Sequence, residues 1–193
     1  MRYHLEWSTP AGALVAMEPS LAEVEATAAR LAAAYNDPHN APLLGHTAEL
    51  SPADVLDHYR ALGEDGGRSF LLYRNSVLIG DGDLRGITNE AAEFAFLIAD
   101  PDTQGRGLGT RFAIMIHALA FGPLALQRIY ASVIPTNTAS CRVFEKLGYT
   151  ADSSEEARSY ADDESDIILS IDRAEFTRAH GAAAADVRIR PRT

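Results

Sequence analysis

Residues 92–112 read AEFAFLIADPDTQGRGLGTRF, and no other stretch of the chain restricts the fold as tightly. The apolar run at 92–99 reads as a strand. It leads into three glycines in five residues, Gly105, Gly107 and Gly109, and then into an apolar helix expected over residues 107–121, with Gly122 and Pro123 stopping it. Glycine has no Cβ, so its backbone N–H groups can approach a ligand closely. The first turn of a helix leaves N–H groups unpaired and carries partial positive charge. Strand, glycine loop and helix N-terminus in that order make a phosphate cradle, against the plainer reading of a tight turn closed by glycines.

The flanking segments supply the rest of an α/β order. A strand is expected at Gly12–Met17. Ser20 then caps a helix whose apolar residues Leu21, Val24, Ala28, Leu31 and Tyr35 recur at helical spacing. Ser51 and Pro52 open a second helix, to about Leu62. SFLLYR and VLIGDGDLRG flank Asn75 and Ser76 as a hairpin, in which Gly80 and Gly82 permit a bulge. RIYASVIP is a further strand, and Asn137 caps a helix, TASCRVFEKL, closed by Gly148. Tyr149 onward and residues 166–171 are expected as closing antiparallel strands, with the acidic ADSSEEARSYADDES between them. The last segment, GAAAADVRIRPRT, with its small residues and alternating arginines, reads as a mobile tail. The expected organisation is one domain over residues 1–180 and a tail at 181–193. Its class is α/β (α+β), with helices on one mixed, mostly antiparallel sheet.

Composition narrows the function. A length of 193 residues suits one domain with a sizeable core, and a net charge of -10 disfavours a general nucleic-acid binder. No apolar run approaches the roughly 20 residues of a membrane span, and MRYHLEWSTP has no apolar signal region. The single cysteine, Cys141, cannot form an internal disulfide, which suits a cytoplasmic protein. The histidines, including His39, His46 and His117, are scattered, and no Cys/His cluster has metal-ligand spacing, so no metal is expected.

Two familiar phosphate loops are excluded by residues present in the chain. Gly109-Thr110-Arg111 lacks the lysine of a Walker loop. A Rossmann fingerprint needs a third glycine where Thr110 stands, and an acidic residue where Ser132, Val133 and Ile134 stand. What does match is Gln104, Gly107 and Gly109, a Q-x-x-G-x-G pattern after an apolar strand. This resembles the acyl-CoA-binding motif of the GNAT superfamily of N-acetyltransferases. NTASCRVFEKLGY at 137–149 resembles the superfamily's later N-x-x-S…E-K-L-G-F/Y motif. PSLAEVEATAARLAAAYNDP, AEFAFLI and DESDIILSIDRAEF resemble its RimJ/RimL-like branch, so the likeness spans roughly residues 14 to 177.

The resemblance implies a GNAT fold with splayed strands at an acetyl-CoA site, and transfer of an acetyl group to a primary amine in a ternary complex. It implies that Gln104, Gly105, Arg106, Gly107, Leu108, Gly109 and Thr110 hold the pyrophosphate. Backbone at Leu97, Ile98 and Ala99 would bond pantetheine, with the Leu97 N–H polarising the thioester carbonyl. Asn137, Ser140 and Phe144 would face the thiol end. Glu93 takes the place of a catalytic glutamate, raised in pKa by burial, against the plainer reading of a strand-edge carboxylate. Many relatives carry a tyrosine where Phe144 stands; phenylalanine cannot donate a proton, so Ser140 is the candidate general acid, against a structural role for its hydroxyl. Tyr149 reads as core. The acidic stretch reads first as a solvated loop, and in this branch it lies near the acceptor entrance, where it would attract a cationic amine. Protein N-termini, aminoglycosides, polyamines and other small amines remain open as acceptors, as does a homodimer. An acyl-CoA-binding sensor without turnover is the alternative function.

Overall fold

The computed structural model describes residues 1–9, 12–45 and 48–192; His46 and Thr193 lie outside them. The chain opens with β1 (Arg2–Thr9), β2 (Gly12–Met17), α1 (Leu21–Tyr35) and α2 (Pro52–Glu64). Then come β3 (Arg68–Arg74), β4 (Val77–Arg85), β5 (Ala91–Ile98), α3 (Leu108–Phe121) and β6 (Arg128–Val133). It closes with α4 (Thr138–Leu147), β7 (Thr150–Ala151), a short α5 (Glu155–Arg158), β8 (Ile167–Asp172), α6 (Arg173–Ala185) and β9 (Arg188–Arg192). The strands form one sheet in the order β7-β8-β6-β5-β4-β3-β2-β1-β9. Every described pairing is antiparallel except β5 with β6, which α3 connects as a crossover.

Local sequence explains most of these boundaries. Ser20 with Glu23, and Ser51 with Asp54, make reciprocal capping boxes at the starts of α1 and α2. Asn75 and Ser76 both take positive φ, 48° and 66°, the twist a two-residue hairpin turn requires. Register slips between Leu72 and Tyr73, leaving Ile79 as the extra residue of β4 beside Gly80, so the expected bulge is present. A Cβ on Gly80 would lie 2.2 Å from the Leu97 carbonyl oxygen, so that glycine lets β4 and β5 close up.

The two faces of the sheet differ. One carries α3, α4 and α6 over a large apolar core containing Phe70, Phe94, Phe112 and Phe144. The other carries α1 and α2 over a smaller cluster of Val24, Leu31, Val55 and Leu71.

The C-terminal expectation is corrected. Residues 181–192 do not form a free tail: α6 runs to Ala185, and β9 pairs antiparallel with β1, Leu5 opposite Ile189. Phe176 and Val187 are buried in the main core, and the Arg192 guanidinium binds the Glu23 carboxylate. Pro191 is tolerated because β9 is an edge strand, where an absent N–H breaks no ladder. The composition of the segment resembles a tail because its partner, β1, sits at the other end of the chain.

Candidate active site

Strands β5 and β6 are paired only at their starts, Ala91–Arg128, Ala92–Ile129 and Glu93–Tyr130. Beyond Glu93 they diverge, while β5 stays paired to β4 as far as Ile98. Sheet order therefore opens a gap beside the second half of β5, with α3 starting just past its end. Backbone direction decides which groups line that gap. The Ala99 N–H donates to Ile79 O of β4 at 2.8 Å. Antiparallel pairs alternate between bonded and non-bonded, so Leu97–Asp81, two residues along, is also a bonded pair. The Leu97 N–H thus belongs to the β4 ladder, which corrects its expected oxyanion role, and the Ala99 N–H is unavailable for the same reason. The Ala99 carbonyl accepts from Asn40 Nδ2 at 3.0 Å and the Ile98 carbonyl from Gln104 Nε2 at 2.8 Å. Backbone of the alternate residues, Phe96 and Ile98, faces the gap.

The glycine loop is pinned from its first residue. Besides Ile98 O, Gln104 Nε2 donates to Asn40 Oδ1 at 3.0 Å, and its Oε1 lies 3.2 Å from His39 Nε2. Its own N–H donates to Pro101 O, so the open N–H groups of the loop begin after Gln104 rather than at it. Gly105 and Gly107 have φ of 71° and 75°, in the left-handed region that favours glycine. Arg111 is the first residue of α3 to find a helical acceptor, Gly107 O at 3.1 Å, which leaves the N–H groups of Leu108, Gly109 and Thr110 at the open helix end. Gly109 has a packing reason to be glycine, because a Cβ there would sit 2.8 Å from the Phe96 ring. The Arg106 carbonyl accepts from Arg111 Nη1.

Asn137 caps α4, its Oδ1 accepting the Ser140 N–H at 3.0 Å and its Nδ2 donating to Leu43 O. Phe144 is buried edge-on against Phe94 and Phe96. Tyr149 is core as expected, its hydroxyl bonded to Nε2 of the fully buried His117, whose Nδ1 bonds Ala113 O at 2.7 Å. Burial pushes the His117 pKa down to about 3, so the imidazole is neutral and its hydrogen bonds are structural.

A cavity of about 730 Å³ joins the gap, where Phe96, Asn137, Ser140 and Phe144 line it, to an acidic chamber on the opposite face of β4 and β5. The chamber is lined by Asp81 and Asp83 of β4, Asp54 of α2, and Asp162, Asp163 and Asp166 of the loop before β8. Among the described residues, Arg85 is the one lysine or arginine in that lining. Glu93, on the same face, is held bidentately by Arg85, Nε at 2.9 Å and Nη2 at 2.8 Å, and it accepts the Ser132 N–H. Burial raises its pKa and Arg85 pulls it back. Arg85 Nη2 also binds Asp162 at 2.6 Å, and Asp166 binds Ser132 Oγ at 2.7 Å, so the acidic loop is anchored to the site rather than simply solvated.

Asp81 and Asp83 were not singled out from the sequence. Asp81 accepts from the Tyr35 and Tyr59 hydroxyls, the latter at 2.7 Å, and burial pushes its pKa up to about 6 against them. Burial pushes Asp83 up to about 7, with Arg85 opposing. The signal was present in GDGDLR: two carboxylates at period two inside an apolar strand share one face.

The fold and site together define an α+β acyltransferase architecture: a mixed sheet splayed beside a glycine-capped helix. A family model described as "Acetyltransferase (GNAT) domain" matches residues 19–150, and the chain belongs to that family. It is 32% identical over 108 residues to "Probable N-acetyltransferase YjcK" of Bacillus subtilis (strain 168), a match covering 54% of this chain and 60% of that protein. Among solved structures, Mycobacterium smegmatis RimJ in complex with CoA-disulfide superposes with a TM-score of 0.75 at 17% identity, over 96% of both chains. Aminoglycoside acetyltransferase AAC(6')-Ib in complex with coenzyme A gives 0.73 at 20% identity, over 86% of this chain and 99% of that one. Among the described residues no helix is long and apolar enough to cross a membrane.

Proposed function

We propose that the chain is an acetyl-CoA-dependent N-acetyltransferase acting on a cationic primary amine. The observation that carries the reading is the continuity of one cavity, from the β5–β6 gap to the acidic chamber. A thioester in the gap and an amine in the chamber would then meet beside Phe96, Ser140 and Phe144. The open N–H groups from Gly105 to Thr110 suit a pyrophosphate, with Arg106 beside them. Gap-facing backbone at Phe96 and Ile98 suits the amides of pantetheine. The Phe96 N–H is the first on that edge beyond the β6 ladder, and it takes the oxyanion role that Leu97 cannot fill. Asn137 orients the start of α4, and the Ser140 hydroxyl, lining the cavity, supplies the proton that Phe144 lacks.

The acceptor is cationic because the chamber is lined by six aspartates against Arg85 and His58. AAC(6')-Ib has been solved with kanamycin, ribostamycin and paromomycin, polycationic amines of the kind such a chamber suits. Gly105 supplies the test, because a side chain there meets nothing within 4 Å. Asp and Asn tolerate the left-handed conformation comparably, so only charge separates Gly105→Asp from Gly105→Asn. Calorimetry with acetyl-CoA should show Asp binding at least about 10-fold more weakly than Asn, or about 1.4 kcal/mol. Equal affinities would remove the phosphate from this loop. Coenzyme A release with spermidine, kanamycin and an alanine-initiated peptide then separates an enzyme from a sensor, which would bind acetyl-CoA and release none.

A further inference from the structure

Resting on that reading, we propose that Asp83 accepts the proton released by the acceptor ammonium, and that Glu93 is a positioning residue that holds Arg85. The carboxylates around the chamber differ in what holds them. Both Glu93 oxygens are taken by the Arg85 guanidinium. Asp81 accepts both tyrosine hydroxyls on Oδ2, Asp162 Oδ2 accepts from Arg85, and Asp166 Oδ2 from Ser132, so each of these carboxylates has a hydrogen-bond donor. Asp83 differs: its Oδ1 is buried with no hydrogen-bond partner, and Arg85 Nε stands off at 3.9 Å. The residue lies on β4 opposite Ala95 of β5, one strand from the gap, and lines the cavity that Ser140 also lines. A buried carboxylate oxygen left unpaired is costly in a folded protein, and uptake of a proton by the carboxylate lowers that cost.

The surrounding charges set the ionisation of the group. Asp81 and Arg85 flank it on its own strand, Glu93 faces it from β5, and Tyr35 lies toward it from α1. Asp54 and His58 of α2 close one side of the chamber, and Asp162 and Asp163 the other. Burial, reinforced by Asp81, Glu93 and Asp162 and opposed by Arg85, brings the Asp83 carboxyl up to about 7, which matches a base working near neutrality.

An N–H bond of the ammonium breaks, the proton passes to the Asp83 carboxylate, and the electron pair stays on nitrogen. That pair forms the bond to the acetyl carbon as the carbon–sulfur bond breaks, leaving its electrons on the coenzyme A sulfur. The sulfur gains a proton lost by the new amide nitrogen, through the Ser140 hydroxyl, and Asp83 returns its proton to water.

The test is the pH dependence of kcat/KM from pH 5 to 10, with spermidine or kanamycin, for the native chain, Asp83→Asn and Glu93→Gln. Circular dichroism and acetyl-CoA affinity verify each fold, and Asp83→Ser replaces Asp83→Asn if the latter does not fold. Removing the base should lower kcat/KM at pH 7 by about 10²–10⁴-fold. It should also abolish the limb near pH 7, leaving a rise that follows the ionisation of the amine near pH 10. Glu93→Gln should slow turnover yet keep that limb. A native limb that persists in the Asp83 variant overturns the inference alone, as does a limb that vanishes with Glu93. A native chain that acetylates neither amine overturns the acetyltransferase reading and the inference together.

Discussion

The two faces of β4 and β5 are built to opposite specifications. Toward α3, Phe94 and Phe96 pack with Phe112, Phe144 and His117 into an aromatic layer in which polar atoms are paired. Toward α1 and α2 the same strands present Asp81, Asp83, Arg85 and Glu93, and one buried carboxylate oxygen has no partner. Alternation of side chains lets adjacent residues of one strand serve both purposes. The apolar face supplies stability, and the polar face gives part of it up to keep charge poised beside the gap.

That contrast is breakable, most sharply on the apolar side. Phe94 is 1% exposed and touches four aromatic rings, so Phe94→Ala should cost about 3–5 kcal/mol in urea unfolding. A cost under 1 kcal/mol would mean that the layer does not carry the fold. Tyr149→Phe should cost less, about 1–3 kcal/mol, because it leaves Nε2 of the buried His117 without its donor.

The polar side should respond with the opposite sign. The folded pKa of Asp83, about 7, lies above its ordinary value of 3.8. The folded state therefore binds the proton more tightly, and this group destabilises the protein increasingly as pH rises from about 4 to about 7. Asp83→Asn should accordingly stabilise the protein by about 1–2 kcal/mol at pH 8, with the gain vanishing near pH 4. A variant less stable than the native chain at pH 8 would show that Asp83 contributes to the fold, and the contrast between the faces would fall.

Legibility in the sequence followed the range of the interactions. The caps at Ser20, Ser51 and Asn137, the Asn75–Ser76 hairpin and the stop at Gly148 were readable, since each depends on residues within a turn or two. The glycine loop was readable as a turn opening onto a helix N-terminus, although the reason for Gly109 was not, because the Phe96 ring that excludes a Cβ lies thirteen residues back in the chain. The Leu97 assignment went astray by one residue: in a strand, neighbours point their N–H groups to opposite sides, and only the register with Asp81 settles which side faces the gap.

The sequence by itself determined most of the elements between Gly12 and Asp172, the strand–glycine–helix unit, the family resemblance, and the departure at Phe144 that turns attention to Ser140. The tertiary structure decided the rest. It placed β9 against β1, sealed Glu93 with Arg85, brought Asp162 and Asp166 to the site from the far side of β6, and left the Asp83 oxygen unpaired. The physical reason is that local order follows from the torsional and capping preferences of neighbouring residues. The state of a carboxylate follows from burial and from charges brought close by folding, and several of these lie far away along the chain.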